Sequence, residues 1–446
     1  MTDHRADIRR VAALVAAAVV AIAVIFAVQA RRAGLTLGEM LSGGPPSLAE
    51  SIEQSRAAAR VGPRLEGLSP TPVGAAVGPD DRPLVANVAI ADLDGDGLAD
   101  LLVADAAANQ ITWIRQAPAG VFSEQTIGEV PGPAHVQAVD LDRDGDLDVV
   151  VASLGVLFPN NAPIGAVVVL ENDGRQAFTK RVLVDQIARV SDVRAGDLDG
   201  DGDLDLAVAQ FGYDQGETRW MENRGNWQFE SHLLQSLSGP INAEIADMDG
   251  DGDLDIVTLV SQEWEEIYVF ENDGRGGFTP RRIFGASNED FGSSWISLAD
   301  LDRDGDIDVV YSNGDAFDYA PPTGRNWNGL QWLENRGGLA FRYTRIGDFP
   351  GASSPQAADI DGDGDLDIVV VSAYNNWDRP EAVSLALFEN DGAMRFTLRP
   401  ITGTPTHLIT LAVGDVNGTG QVDFVTGGMH MSYPFDRMSR VTLWAR

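Results

Sequence analysis

From residue 84 onward, apolar residues come in short runs separated by loops dense in Asp and Gly, and the same order of runs returns seven times. In the fourth copy the strand-like runs are 242–246, 254–259, 266–271 and 278–283. Between the third and fourth runs stands a turn of Asn-x-Gly type, as in Asn172-Asp173-Gly174, Asn223-Arg224-Gly225 and Asn390-Asp391-Gly392, where Gly supplies the positive φ that tight hairpins need. A Phe opens the fourth run at positions 122, 178, 229, 278, 341 and 396. Four antiparallel strands per unit and seven units predict an all-β fold, a seven-bladed β-propeller. The seventh copy stops after Val441-Thr442-Leu443-Trp444, so its outer strand is expected from upstream of Asn87, although no segment there carries the Phe pattern.

The loop between the first and second runs carries the chemistry. Its copies begin at Asp92, Asp140, Asp197, Asp247, Asp300, Asp359 and Asp415, 48 to 59 residues apart, and follow Asp-x-Asp-x-Asp-Gly-x-x-Asp. Alternate carboxylates on a tight loop converge on one point, which suits a hard cation such as calcium with six to eight oxygen ligands. Positions one, three, five and nine supply carboxylates, position seven a backbone carbonyl, and Gly at six the sharp turn. The predicted ligands are Asp92, Asp94, Asp96 and Asp100; Asp140, Asp142, Asp144 and Asp148; Asp197, Asp199, Asp201 and Asp205; Asp247, Asp249, Asp251 and Asp255; Asp300, Asp302, Asp304 and Asp308; and Asp359, Asp361, Asp363 and Asp367. The seventh loop offers only Asp415, Asn417 and Asp423, and is expected to be weaker or empty. An EF-hand would need a Glu at position twelve, where this chain has an apolar strand residue such as Val151, and no helix flanks the loops. The expectation is about six calcium ions, seven if the last loop also binds.

The formal charge of −35 changes meaning in this light, because the loops hold nearly half of the 67 acidic residues and the remainder almost balance the 32 basic ones. That charge argues against nucleic acid as a partner. There is no Cys, so disulfides contribute nothing, and Lys180 is the single lysine through which any Schiff-base chemistry would have to run.

Residues 1–10 carry Arg5, Arg9 and Arg10, residues 11–30 are almost wholly apolar, and Arg31 and Arg32 follow. About 20 such residues span a bilayer as a helix, which makes this segment a membrane anchor behind a short cytoplasmic tail, or a signal peptide cleaved after Val28-Gln29-Ala30. Either way the propeller is expected outside the cytoplasm, periplasmic or at the cell surface, and secreted if the segment is cleaved. Residues 31–83, rich in Gly, Pro and Ala, are expected to be a linker.

The Asp-rich loop followed by a strand, seven times over with Asn-x-Gly turns between, resembles the FG-GAP or VCBS repeat family, whose propellers are similar to the amino-terminal domain of integrin α chains. The resemblance covers about 360 residues, roughly the array's extent. It implies calcium on one face of the disc and ligand recognition commonly on the other. The family also hosts unrelated activities, some polysaccharide lyases among them, so the fold does not settle the function.

If calcium lies below, the loops between second and third strands and those entering the first strand lie above. They carry Tyr213, Trp264, Tyr319, Trp327, Tyr374, Trp377 and Tyr433, with Trp295 at a strand entrance, and the histidines His135, His407 and His430. Five residues before each first Asp stand Asn87, His135, Asp192, Asn242, Trp295, Ser354 and Thr410, and two residues later Ala89, Gln137, Arg194, Glu244, Ser297, Gln356 and Ala412. By strand alternation both rows point toward the axis, either satisfying one another between blades or lining a polar ligand site. The candidate ligand residues are His135, Arg194, Glu244, Trp264, Trp295, Trp327, Trp377, His430 and Tyr433. One functional reading is a calcium-stabilised recognition module for a glycan or protein at the cell envelope. The other is a glycan-cleaving enzyme, plausibly a lyase, with His135 or His430 as base, Tyr433 or Tyr374 as acid and Arg194 against a uronate. No nucleophile motif, zinc-ligand pattern or phosphate loop accompanies them, which favours recognition.

Overall fold

The computed structural model describes residues 59–446, apart from 263–264, 287, 318–321, 326 and the side chain of residue 289. Seven sheets follow one another around the disc, each built on an antiparallel meander of four strands, or of three in the last blade. The blades run over 85–129, 133–187, 189–235, 240–285, 295–348, 352–402 and 408–445. Blade four consists of Pro240–Ala246, Asp255–Val260, Glu266–Asn272 and Phe278–Gly285, close to the expected runs.

Seven apolar clusters fill the gaps between neighbouring blades, one in each, and a smaller eighth gathers Ala316, Ala373 and Tyr374. The second strand of every blade is buried along its length, save the half-buried Phe211 that ends it in blade three, because alternate residues serve opposite gaps. In blade two, Val149 and Val151 pack toward blade one, whereas Val150 and Ala152 pack toward blade three. This explains runs that show no polar alternation. The recurring Phe of the fourth strand packs on the preceding blade: Phe178 meets the edge of Trp113 with ring centroids 6.3 Å apart, and Phe278 meets Trp220 at 5.7 Å.

The ring closes with a strand from upstream. Ser69–Pro72 pairs antiparallel with Val441–Ala445 and becomes the outer strand of blade seven, while Arg60–Val61 adds in parallel to the edge of blade six. Part of the expected linker is therefore propeller. Its sequence, Ser-Pro-Thr-Pro, gave no strand signal because Pro cannot donate to a ladder and is tolerated only at such an edge. Among the described residues no helix is long and apolar enough to cross a membrane. The expected anchor at 11–30, with its flanking tail, lies outside the described residues.

Candidate functional site

The Asp loops form the lower face. In the second loop Gly145 holds φ at 99° and Arg143 at 63°, and the first carboxylate, Asp140, accepts the Gly145 N–H at 3.1 Å. Asp142 accepts from Asp144 N at 3.2 Å and Asp144 from Asp146 N at 3.0 Å, so the odd carboxylates are wrapped inside their own turn. The ninth residue plays a different part. Asp148 is buried, with Oδ2 accepting Leu141 N at 3.2 Å and Oδ1 accepting Asn172 N of the third strand at 2.9 Å. The pattern repeats at Asp205 with Leu198 and Asn223, at Asp255 with Met248 and Asn272, at Asp308 with Leu301 and Asn335, and at Asp367 with Ile360 and Asn390. Burial pushes Asp148, Asp205 and Asp308 up to about 7, and Asp255 and Asp367 to about 6, with their backbone donors opposing the shift.

The loops fit a hard cation on two counts. Asp140, Asp142 and Asp144 each offer an oxygen within 4.8 Å of the others, and Asp197, Asp199 and the ninth-position Asp205 do the same. Asp94 Oδ1, Asp140 Oδ1, Asp300 Oδ1 and Asp302 Oδ1 are shut from water and accept no hydrogen bond. Buried, unsatisfied carboxylate oxygens in an all-oxygen set are what calcium coordination satisfies.

On the inner strands, the row containing His135 is buried apart from Trp295, and its polar members join neighbouring blades. Asn87 Oδ1 accepts Val136 N of the next blade at 3.3 Å, Asp192 Oδ2 accepts Ala243 N at 3.1 Å, and Asn242 Oδ1 accepts Ile296 N at 3.3 Å. Ser354 Oγ accepts Leu411 N at 3.1 Å and Thr410 Oγ1 accepts Val88 N at 3.2 Å, the last across the closing seam. Each side chain thus fastens its blade to the following one. His135 belongs to this ring: burial, then the Arg194 charge, lowers it to about 4, so it is a neutral imidazole near neutrality. The row containing Arg194 and Glu244 lines the channel. Their ion pair at 2.8 Å crosses from blade three to blade four, and Arg194 Nε also lies 3.2 Å from Asp192.

Above this ring a cavity of about 230 Å³ opens at the upper mouth, with all seven blades in its wall. Its floor is one residue per blade, six before the first loop Asp: Ala86, Ala134, Ser191, Ile241, Ser294, Ser353 and Ile409. In five blades the ladder between first and second strands skips the residue at this position, a β-bulge that leaves Ala86, Ala134, Ser191, Ile241 and Ile409 unpaired. Blade six has a wider irregularity at the same place, between Ser353 and Gln356. Strand alternation selected the rows at minus five and minus three and missed this one, because a bulge resets which side a residue faces. The floor serines are already occupied: Ser191 Oγ donates to Pro240 O at 2.9 Å, Ser294 Oγ to Ala352 O at 2.7 Å and Ser353 Oγ to Ile409 O at 2.9 Å. They present little free polarity. The walls are aromatic, with Phe211 edge-on to Tyr213 at 5.1 Å, Phe317 edge-on to Tyr374 at 5.3 Å, and Trp295. Arg189 also lines the wall, and its guanidinium donates to Val156 O and Leu157 O.

The remaining candidates divide. Trp327 is 37% exposed and its Nε1 donates to Asp290 O, and Tyr433 is 73% exposed. Trp377, expected on an exposed loop, is instead buried beside His407 with ring centroids 5.3 Å apart. His430 is buried too: its Nε2 lies 3.0 Å from Ser439 O, and burial lowers it to about 4. His135 and His430 thus keep separate partners, the first with Asp192 of blade three and the second within blade seven. Trp264 and Tyr319 lie outside the described residues.

Comparison with curated protein sequences finds no match. Among solved structures, BBS1N in complex with ARL6DN, soaked with lead, is similar in fold, with a TM-score of 0.50 at 11% identity over 84% of this chain and 95% of that one. The Dos1 propeller gives 0.48 at 9% identity over 81% and 77%. The family model described as FG-GAP-like repeat matches residues 92–151, 197–258, 259–311, 323–370 and 359–426. These matches span more than half of the sequence and fall on the Asp loops with the strands that follow them, so the chain belongs to the FG-GAP-like repeat family.

Proposed function

We propose that this propeller is a recognition module, braced by calcium on its lower face, that takes an apolar or aromatic side chain of a protein partner into the upper-mouth cavity. The observation that carries the reading is the floor of seven bulge-level residues, apolar or with their hydroxyls already engaged, inside an aromatic wall. At about 230 Å³ the cavity is smaller than the roughly 300 Å³ at which drug-sized pockets begin, and suits a single anchoring residue. At the cavity, Phe317 of its wall and Phe158, between the lining residues Leu157 and Pro159, leave apolar surface exposed, the kind of rim that surrounds an interface anchor. The similar fold BBS1N occurs in complex with ARL6DN, which agrees with a protein partner. Lowered, buried imidazoles at His135 and His430 give the lyase reading no base poised near neutral pH. The apolar segment at 11–30 would hold the module at the envelope.

The test is panning a phage-displayed random peptide library against the calcium-loaded protein and, in parallel, a glycan array. Peptides enriched in one aromatic or large aliphatic position, and lost with Ala134→Phe, which fills the cavity, are expected. Glycan retention without peptide enrichment, or turnover of uronate polysaccharides, would overturn the reading.

A further inference from the structure

Six loops look alike in sequence, yet their surroundings differ in one residue. In blades two to six the third strand ends in Glu-Asn: Glu171, Glu222, Glu271, Glu334 and Glu389, each beside the asparagine whose N–H binds the ninth carboxylate. Those glutamates add negative field at the loops, Glu171 at Asp142 and Glu334 at Asp302 for example. Each is also paired with an arginine of its own blade's third-to-fourth-strand hairpin, such as Arg181 with Glu171 at 2.6 Å and Arg399 with Glu389 at 2.7 Å. Blade one has Arg115-Gln116 at this place. Its guanidinium turns to the loop, with Nη2 2.5 Å from Asp94 Oδ2 and 3.3 Å from Asp96 Oδ2. Asp94 also accepts from Gln176 Nε2 at 3.1 Å, and its side chain is 3% exposed. The contact is not a general habit of arginines near these loops: Arg143 meets Asp203 at position seven, an exposed carboxylate that is not among the four at positions one, three, five and nine.

We infer that Arg115 is a built-in cation for the first loop, standing in for the metal that the other five full loops take. One guanidinium charge is already shared there between two of the four carboxylates a metal would use, and a divalent ion beside it would meet a like charge. The inference rests on the calcium reading of the loops, and it lowers the expected complement from about six ions to about five. Blade one adjoins the closing seam, and across it the seventh loop has only Asp415, Asn417 and Asp423. That seam has ion pairs of its own. Arg440 of blade seven reaches Asp105 at 2.8 Å and Glu124 at 2.8 Å in blade one, with its side chain 10% exposed. The place where the first and last blades meet is therefore fastened by Arg440, whose ion pairs need no calcium.

Native mass spectrometry of the protein in calcium, counting tightly held ions, decides the matter. The unaltered protein is expected to hold about five ions, Arg115→Glu about six, and Arg115→Glu with Asp92→Asn about five again. Asp92→Asn alone should leave the count of the unaltered protein unchanged, which keeps the test open if Arg115→Glu folds poorly. A native count that already includes the first loop, shown by loss of one ion in Asp92→Asn, would overturn the inference while leaving the calcium reading intact. No ions in any of the proteins would remove both.

Discussion

His135 Nδ1 in the second blade lies 3.0 Å from Asp192 Oδ1 in the third, and both side chains are almost wholly buried. Asp192 is also gripped by Arg194 and by the Ala243 N–H of the fourth blade, so one carboxylate ties three blades at the axis. Burial opposes its charge, yet Arg194 and His135 hold it below the usual carboxylate range. Replacing it by Asn would leave Arg194 short of a partner in a closed site. Asp192→Asn should cost about 3 kcal/mol or more in denaturant melts, because removing one member of a buried charged network strands the others. A loss below about 0.5 kcal/mol, the ordinary surface range, would contradict the fastening role.

The tryptophans separate by burial. Trp220→Ala, 4% exposed and packed on Phe278, should cost about 3 to 5 kcal/mol, and Trp377→Ala, buried against His407, a similar amount. Trp327→Ala should stay within about 0.5 kcal/mol in thermal or urea unfolding, while weakening partner binding.

Calcium in the loops should reverse the sign of the pH dependence. In chelated protein Asp148, Asp205 and Asp308 titrate at about 7 when folded, against 3.8 as ordinary carboxyls, so the folded state binds more protons between those values and acidification from pH 7 toward 5 raises stability. His135, His407 and His430, lowered to between about 3 and about 4, act oppositely below 6.5, but they are fewer than the raised carboxyls. With calcium bound the ligands are held ionised, and stability is lost as protons displace the metal. Melting temperatures at pH 7 and 5.5, with calcium and with chelator, should move in opposite directions. Parallel shifts would count against metal in the loops.

The apolar run at 11–30 predicts that the mature chain retains Met1 or Thr2 and stays with membranes through high salt and carbonate. A soluble mature chain starting at Arg31 would instead mark the segment as a cleaved signal.

Much of this molecule was legible in its residues. The seven Asp loops, the Asn-x-Gly turns and the Phe at each fourth strand carry the blade count, because each is a local rule repeated at constant offset. The two axial rows were legible as positions, but fastening contacts such as Asn87 with Val136 were not, because they join residues far apart in the chain. The closing strand Ser69–Pro72 was expected to exist but could not be located, since two prolines give no strand pattern and only pairing with Val441–Ala445 makes it one.

The sequence alone determined the architecture and the oxygen-rich loops, because strand period, turn chemistry and carboxylate spacing act within a few residues. Tertiary structure decided three other things: that residues six before each loop floor a cavity, that His135 and His430 have separate buried partners, and that Arg115 faces Asp94. The physical reason is shared. A one-residue bulge, a desolvated imidazole and a guanidinium near a distant loop depend on what neighbouring strands bring alongside, which local spacing does not encode.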